Sequence, residues 1–384
     1  MPQIETRRRE LIRNCRRLVV KVGTRLLTDL TRIPPLIAQI ARLREERNLQ
    51  VLLVSSGAVG IGLKTLGLDR RPNRLSEVQA LAAVGQSKLM ALYDREAVKF
   101  GFHAAQLLLT AEDLKNRERH LNVSNCINAL WAQGLLPVAN ENDSVSVAEI
   151  MFGDNDTLAA MLGVMLRAEL TVILTTVDGL HDRAPDGSLG TRIPVVQGGI
   201  EALQRLAQGT DDRTFSIGGM VTKLRAAATV TNAGEALWIA DGRAPDPLLR
   251  IFAGEDLGTL FLPAAGRHRQ MHSRKRWLQF FTRPIGTITV DAGAAAALRR
   301  KGRSLLPSGI TAVTGDFRRG DAVAIHDPNG AIIARGLSNY AAGEIAIIQG
   351  RKTAAIPALL GHDGDDEVVH RDNLVLVGED TAGT

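Results

Sequence analysis

Between residues 18 and 262, short runs that are apolar on both faces alternate with longer stretches whose apolar positions recur every three or four residues. The short, largely β-branched runs predict strands at Leu18–Val22, Val51–Val54, Ala104–Leu109, Leu136–Val138, Thr171–Thr175 and Ala236–Ile239. The amphipathic stretches predict helices at Pro35–Arg47, Ser76–Phe100, Arg117–Gln133, Asp156–Arg167 and Met220–Ala233. Alternation of this kind implies an α/β fold, a three-layer αβα sandwich with a mostly parallel sheet and helices on both faces.

Near Pro263 the pattern changes. Short strands with turn signals follow, at Gly286–Val290, Asp321–His326, Ala331–Arg335 and Leu374–Val377, with a helix at Ala292–Lys301. Asp327-Pro-Asn-Gly330 is a strong turn signal, because proline pre-sets φ while glycine and asparagine tolerate positive φ. The chain thus divides into a basic N-terminal extension (1–17), an α/β domain (18–262), a basic linker (263–283) and a small β-rich domain (284–384). Aromatic residues make up only 4% of the chain, so aliphatic side chains must build both cores.

Charge matters here through its location. The net charge is +6, yet residues 267–283 hold six Lys or Arg and no acid, while residues 284–384 hold ten basic and twelve acidic residues, a net of −2. Six arginines precede residue 18 without an apolar core, which predicts a solvated extension rather than a secretory signal. No apolar run is long enough for a membrane span. Cys15 and Cys126 are the only cysteines, which fits a reducing, cytoplasmic setting and excludes a cysteine-based zinc site. The histidines are scattered, and none suggests a nucleophile–base pair or metal spacing.

In open parallel sheets ligands bind beyond the carboxyl ends of the strands. Lys21, Ser55-Ser56-Gly57, Asn140-Glu-Asn-Asp143 and Thr175-Thr176 all fall at such ends. Two lysines are embedded in glycine-containing segments, Lys21 in Val20-Lys-Val-Gly-Thr24 and Lys223 in Ile217-Gly-Gly-Met-Val-Thr-Lys223. Neither lies in a G-x-x-x-x-G-K-[ST] loop, which does not occur in the chain. Glycine leaves backbone N–H groups open to an anion, and a helix N-terminus favours one, so the two segments suggest a phosphate clamp of another design. An ordinary turn explains each segment taken alone. Gly153-Asp-Asn-Asp-Thr157 precedes an apolar helix; one of its polar residues serves as a cap and the others are free for chemistry.

Together these segments resemble the amino acid kinase family. The resemblance is carried by Val19-Val-Lys-Val-Gly-Thr24, Ser55-Ser-Gly-Ala58, Leu81-Ala-Ala-Val-Gly-Gln86, Asn140-Glu-Asn-Asp143, Gly153-Asp-Asn-Asp156 and Gly218-Gly-Met-Val-Thr-Lys223, in the family's order. Within the family it is strongest to the members that act on free glutamate. Gly286-Thr-Ile-Thr-Val-Asp291, Ser304-Leu-Leu-Pro-Ser-Gly-Ile310 and His370-Arg-Asp-Asn373 resemble a PUA domain.

The resemblance implies ATP-dependent phosphorylation of the γ-carboxylate of L-glutamate with Mg²⁺, the first step of proline biosynthesis, with proline as a feedback inhibitor. It implies a cytoplasmic homo-oligomer (dimer or tetramer) with glutamyl phosphate reductase as a functional partner. It assigns Lys21 and Lys223 to the ATP phosphates and Asp156 to holding both lysines. Ser56, Asp143 and Asn155 would bind glutamate. Thr175 and Thr176 would lie against the nucleotide, and Gly218, Gly219, Met220, Val221 and Thr222 would wrap its phosphates. No side chain is assigned to the metal, which the ATP phosphates would hold. Thr176 stands where many members carry aspartate, and Ile217 where threonine is common. The competing readings are a kinase of the same family acting on acetylglutamate, aspartate, carbamate or a nucleoside monophosphate, and an RNA-binding protein working through the PUA-like domain. The acidic balance of residues 284–384 disfavours RNA, because phosphate contacts dominate nucleic-acid affinity.

Overall fold

The computed structural model describes residues 2–145, 155–183, 189–198, 200, 203, 219–264 and 273–377. Two compact units form, Met1–Arg269 and Gln270–Thr384.

The first unit opens with helix α1 (Pro2–Asn14) and strand β1 (Arg17–Val22). There follow α2 (Ile33–Arg47), β2 (Gln50–Ser55), α3 (Ala58–Thr65), α4 (Leu75–Val98), β3 (Ala104–Leu109), α5 (Ala111–Lys115), α6 (Arg117–Ala132) and β4 (Leu136–Glu141). Next come α7 (Asn155–Leu166), β5 (Leu170–Thr175), a hairpin of β6 (His181–Arg183) and β7 (Leu189–Arg192), and β8 (Val195–Gln197). The unit closes with α8 (Met220–Asn232), β9 (Ala236–Asp241), α9 (Pro247–Phe252) and β10 (Thr259–Leu262).

The main sheet has the order β3-β4-β2-β1-β5-β9-β10-β8. Six strands are parallel, from β3 across to β9; β10 runs antiparallel to β9, and β8 is parallel to β10. The chain leaves β1 toward β2 and later returns to the other side of β1 with β5, so the strand order reverses at β1. Such a switch point opens a crevice at the carboxyl ends.

Alternation along β1 decides what reaches that crevice. Leu18, Val20 and Val22 join a core with Ile37 and Ile40 of α2, Leu89 and Tyr93 of α4 and Trp238 of β9. The intervening Val19 and Lys21 point to the opposite face, where α7 and α8 lie. An aliphatic strand therefore delivers one cation to the far side of the sheet.

The first residues, expected as a solvated extension, form α1 with one buried face. Arg8, Leu11, Ile12 and Cys15 fall on a helical stripe; Arg8, Ile12 and Cys15 are buried and Leu11 is partly so. The Arg8 guanidinium lies 5.7 Å from the Trp238 ring and 3.4 Å from Asp256. Stacking and pairing allow this cation to be covered while the remaining arginines face water.

In the second unit α10 (Ser273–Phe281), β11 (Gly286–Val290), α11 (Ala292–Lys301), β12 (Ile310–Thr314), β13 (Ala322–His326), β14 (Ile332–Leu337), α12 (Ala342–Ile348), α13 (Ile356–Leu360) and β15 (Leu374–Leu376) follow in order. The sheet order is β12-β11-β13-β14-β15, with only β11 and β13 parallel. Residues 273–281 of the basic stretch form a helix that buries Arg276, Trp277, Leu278 and Phe281 and packs against β14 and β15. The Asp327–Gly330 turn forms as its residues require: Gly330 has φ +82°, and Asp327 Oδ1 accepts from the backbone N–H groups of Asn329 and Ala331 at 3.0 Å each.

Candidate active site

Lys21 ends the polar face of β1, and Lys223 lies one turn into α8. Asp156, in the first turn of α7, stands between them. Its Oδ1 is 2.6 Å from Lys21 Nζ and its Oδ2 is 3.0 Å from Lys223 Nζ. Asp156 is 1% exposed and each lysine 6%. Burial alone would raise the Asp156 pKa, but the two lysines outweigh it and hold the carboxyl below its ordinary value. Two cations and one anion leave a single positive charge in excess, which suits a phosphate group. Nearby, the Gly23 N–H donates to the Leu174 carbonyl at 3.0 Å, joining the end of β1 to β5.

Around the loop before Lys223, Gly219 is extended at the N-cap of α8 and Met220 begins the helix. Thr222 Oγ1 lies 2.9 Å from the Gly219 carbonyl oxygen and 3.3 Å from Asp156 Oδ2. Gly219, Met220, Val221 and Thr222 are all half-buried, and a helix start of this kind can accept an anion. Gly218 and Ile217, and Gly153 and Asp154 before α7, lie outside the described residues. Thr175 and Thr176 sit half-buried at the carboxyl end of β5, and the Thr175 carbonyl accepts from Gly242 N–H at 2.8 Å.

A second, neutral cluster begins at Asn155, immediately before Asp156. Asn155 Nδ2 lies 3.0 Å from the Ser55 carbonyl, 2.7 Å from Ser56 Oγ and 2.9 Å from Asn140 Oδ1. Asn140 Oδ1 also accepts from Glu141 N–H at 2.9 Å, and Asn140 Nδ2 donates to Gln86 Oε1 at 2.9 Å. The amide chain rests on the buried pair Ser55 Oγ and Tyr93 Oη, 2.8 Å apart. Asp143 lies half-buried in the turn just beyond the end of β4; burial raises its pKa, with Arg71 acting in the opposite sense.

Close helix contact walls this cluster. A Cβ on Gly62 of α3 would overlap the Leu81 carbonyl, and one on Gly85 of α4 the Ala58 carbonyl. Backbone-to-backbone approach of α3 and α4 needs glycine at both places and carries Gln86 toward Asn140. Of the residues expected to act together, Lys21, Asp156 and Lys223 are in contact, and so are Ser56 and Asn155. Gln86 and Asn140 join them without having been singled out individually.

Among the described residues, no three His, Cys, Asp or Glu gather as a metal site. Asp156, the carboxylate of the clamp, is already engaged by two lysines. A clamp whose carboxylate is already paired would meet the phosphates that carry a divalent cation rather than the cation itself.

Comparison with known proteins adds an independent line. The amino acid kinase family profile matches residues 16–241, and a PUA domain profile matches residues 286–360. A protein of Trichlorobacter lovleyi named glutamate 5-kinase is 44% identical over 377 residues, covering 96% of this chain and 99% of that one. Glutamate 5-kinases of a Synechococcus and of Desulfotalea psychrophila are each 44% identical, covering 94% and 96% of this chain and 98% and 99% of their own lengths.

Proposed function

The chain belongs to the amino acid kinase family, and from that premise we propose that it transfers the γ-phosphoryl group of ATP to the γ-carboxylate of L-glutamate, giving ADP and γ-glutamyl phosphate. That the chain is a kinase with a PUA domain follows from the matches above. The choice of glutamate is supported by relatives so named over nearly its whole length and by a cluster suited to a free amino acid. The observation that carries the reading is the adjacency of Asn155 and Asp156. One opens the amide cluster and the other anchors the lysine clamp, so acceptor and phosphate are brought side by side.

The physical chemistry of the reaction fits these parts. A γ-carboxylate has a reference pKa of about 4.3 and is already a nucleophile at neutral pH, so no general base is needed. The barrier lies in bringing one anion to another, and catalysis consists of positioning and charge stabilisation. Lys21 and Lys223 supply positive charge at the transferring group, and Asp156 holds both ammonium groups in place without accepting a proton. Ser56, Asn155 and Asp143 hold glutamate. Thr175, Thr176 and the segment Gly218–Thr222 line the nucleotide. Mg²⁺ bound to the ATP phosphates would add further positive charge to the transferring group.

The same reading makes this the first step of proline biosynthesis in the cytoplasm, with proline as inhibitor, a homo-oligomeric enzyme and glutamyl phosphate reductase as the consumer of the product. Catalysis is assigned to residues 18–262, and assembly or regulation to residues 284–384. Trapping of the acyl phosphate with hydroxylamine tests the core of it: ATP and L-glutamate should yield γ-glutamyl hydroxamate. Product from acetylglutamate, aspartate or carbamate in its place would assign another acceptor, and no product from any would remove the kinase reading of this site.

A further inference from the structure

Two buried polar atoms of the amide cluster have no partner among the described residues, Gln86 Nε2 and Asn155 Oδ1. Gln86 is 6% exposed. Its orientation is fixed, because Oε1 accepts from Asn140 Nδ2 at 2.9 Å and a flipped amide would set N–H against N–H. Its two N–H hydrogens are thereby directed away from Asn140. A buried donor left unsatisfied costs roughly 1–3 kcal/mol, so a partner is expected in the working state.

The surroundings say what that partner is. Gln86 lines a cavity of about 30 Å³ together with Asn142, Asp143 and Ser144. That space admits a small polar head group. Gln86, with its unpartnered N–H donor, and Asp143, with its carboxylate, both line the cavity. A carboxylate and an ammonium on one carbon present the complementary pair. Gln86 is linked to Asn155 through Asn140, and so stands beyond the amide cluster from Asp156 and the lysines. The reacting carboxylate belongs at the lysines; the group meeting Gln86 is the one that does not react.

We propose that Gln86 is a specificity-determining residue whose amide N–H binds the α-carboxylate of the acceptor, an inference that rests on the glutamate kinase reading above. A charged acceptor makes a stronger hydrogen bond than a neutral one, so a donor placed for an α-carboxylate favours it over a neutral α-carboxamide.

The test compares L-glutamate with L-isoglutamine, which keeps the γ-carboxylate but carries an α-carboxamide, by hydroxamate formation. Isoglutamine keeps a carbonyl acceptor but loses the charge, so wild type should favour glutamate by about tenfold or more in kcat/KM. Gln86→Glu keeps an acceptor for Asn140 while setting carboxylate against carboxylate. The glutamate-to-isoglutamine ratio should fall at least about tenfold, with KM for ATP held within about twofold. Gln86→Met removes the donor without adding a charge and should lower the ratio in the same direction, which covers a Glu variant that fails to fold. A merely structural role would depress both acceptors equally and leave the ratio in place. Equal use of the two acceptors by wild type, or an unchanged ratio in a folded variant, overturns the inference. Absence of hydroxamate from wild type with glutamate instead overturns the reaction on which it rests.

Discussion

Asn155 and Asp156 are neighbours in the first turn of α7, yet they serve chemically opposite surroundings. Asp156 is enclosed by two cations, and its charge is more than matched. Asn155 is enclosed by neutral groups, and among the described residues its side-chain oxygen has no partner, nor has the Gln86 nitrogen at the end of the same chain. The clamp is complete before any ligand arrives, whereas the amide cluster is complete only with one. The first arrangement suits a group that must stabilise charge during transfer without reorganising, and the second suits a group that must tell acceptors apart.

Substitution can break this division of labour, and the largest effect belongs to the clamp. Lys21→Ala or Lys223→Ala should lower kcat by about 10³-fold or more while circular dichroism and gel filtration report an unchanged fold. Near-normal turnover in either variant would remove the clamp as the catalytic apparatus. Gly85→Ala should act on the other half through packing. Its Cβ would overlap the Ala58 carbonyl, so a loss of roughly 3 kcal/mol is expected in denaturant unfolding, with a raised KM for glutamate. Stability equal to wild type would mean that α3 and α4 do not approach so closely.

Asn155→Ala should raise KM for glutamate about 10- to 100-fold and leave KM for ATP within about twofold. Equal loss for both substrates would merge the two clusters into one functional unit. The smallest effect separates them by pH. Asp156 is held below its ordinary pKa and Asp143 above it by burial. Acidification therefore protonates Asp143 first, while the clamp stays charged. KM for glutamate should rise severalfold as pH falls toward the carboxylate range, before KM for ATP changes. The reverse order would contradict the assignment of Asp143 to the ammonium group.

Much of this arrangement was legible in the chain. The apolar runs Leu18–Val22, Val51–Val54 and Leu136–Val138 became strands, extended by one to three residues, because strands buried on both faces leave a signal that loops do not imitate. Helix Ala292–Lys301 took its expected bounds, with Asp291 as the N-cap accepting from Ala294 N–H at 2.7 Å. Strands Val195–Gln197 and Thr259–Leu262 were not anticipated, since three or four residues carry too little periodicity to separate from a loop. Helix α1 was obscured by its arginines: their number suggested solvent, while the stripe through Arg8, Leu11, Ile12 and Cys15 was the better signal. Gln86 was hidden for another reason. A glutamine on a helix reads as solvated until the fold brings Asn140 against it, and only the glycine beside it hints at crowding.

The adjacency of Asn155 and Asp156 also makes the first turn of α7 a ruler. A single helical step, a rise of about 1.5 Å with a turn of about 100°, separates the residue proposed to hold the acceptor from the one that pairs with both lysines. That spacing is set by backbone hydrogen bonds rather than by flexible side chains, so it cannot stretch to suit a shorter molecule. For the proposed reaction, aspartate, one methylene shorter than glutamate, could satisfy the recognition end or reach the lysines but not both. Its kcat/KM should fall by more than the 10- to 200-fold that a missing methylene alone accounts for. Selection by length would then be a property of helix geometry, built in before any side chain of the pocket has been chosen.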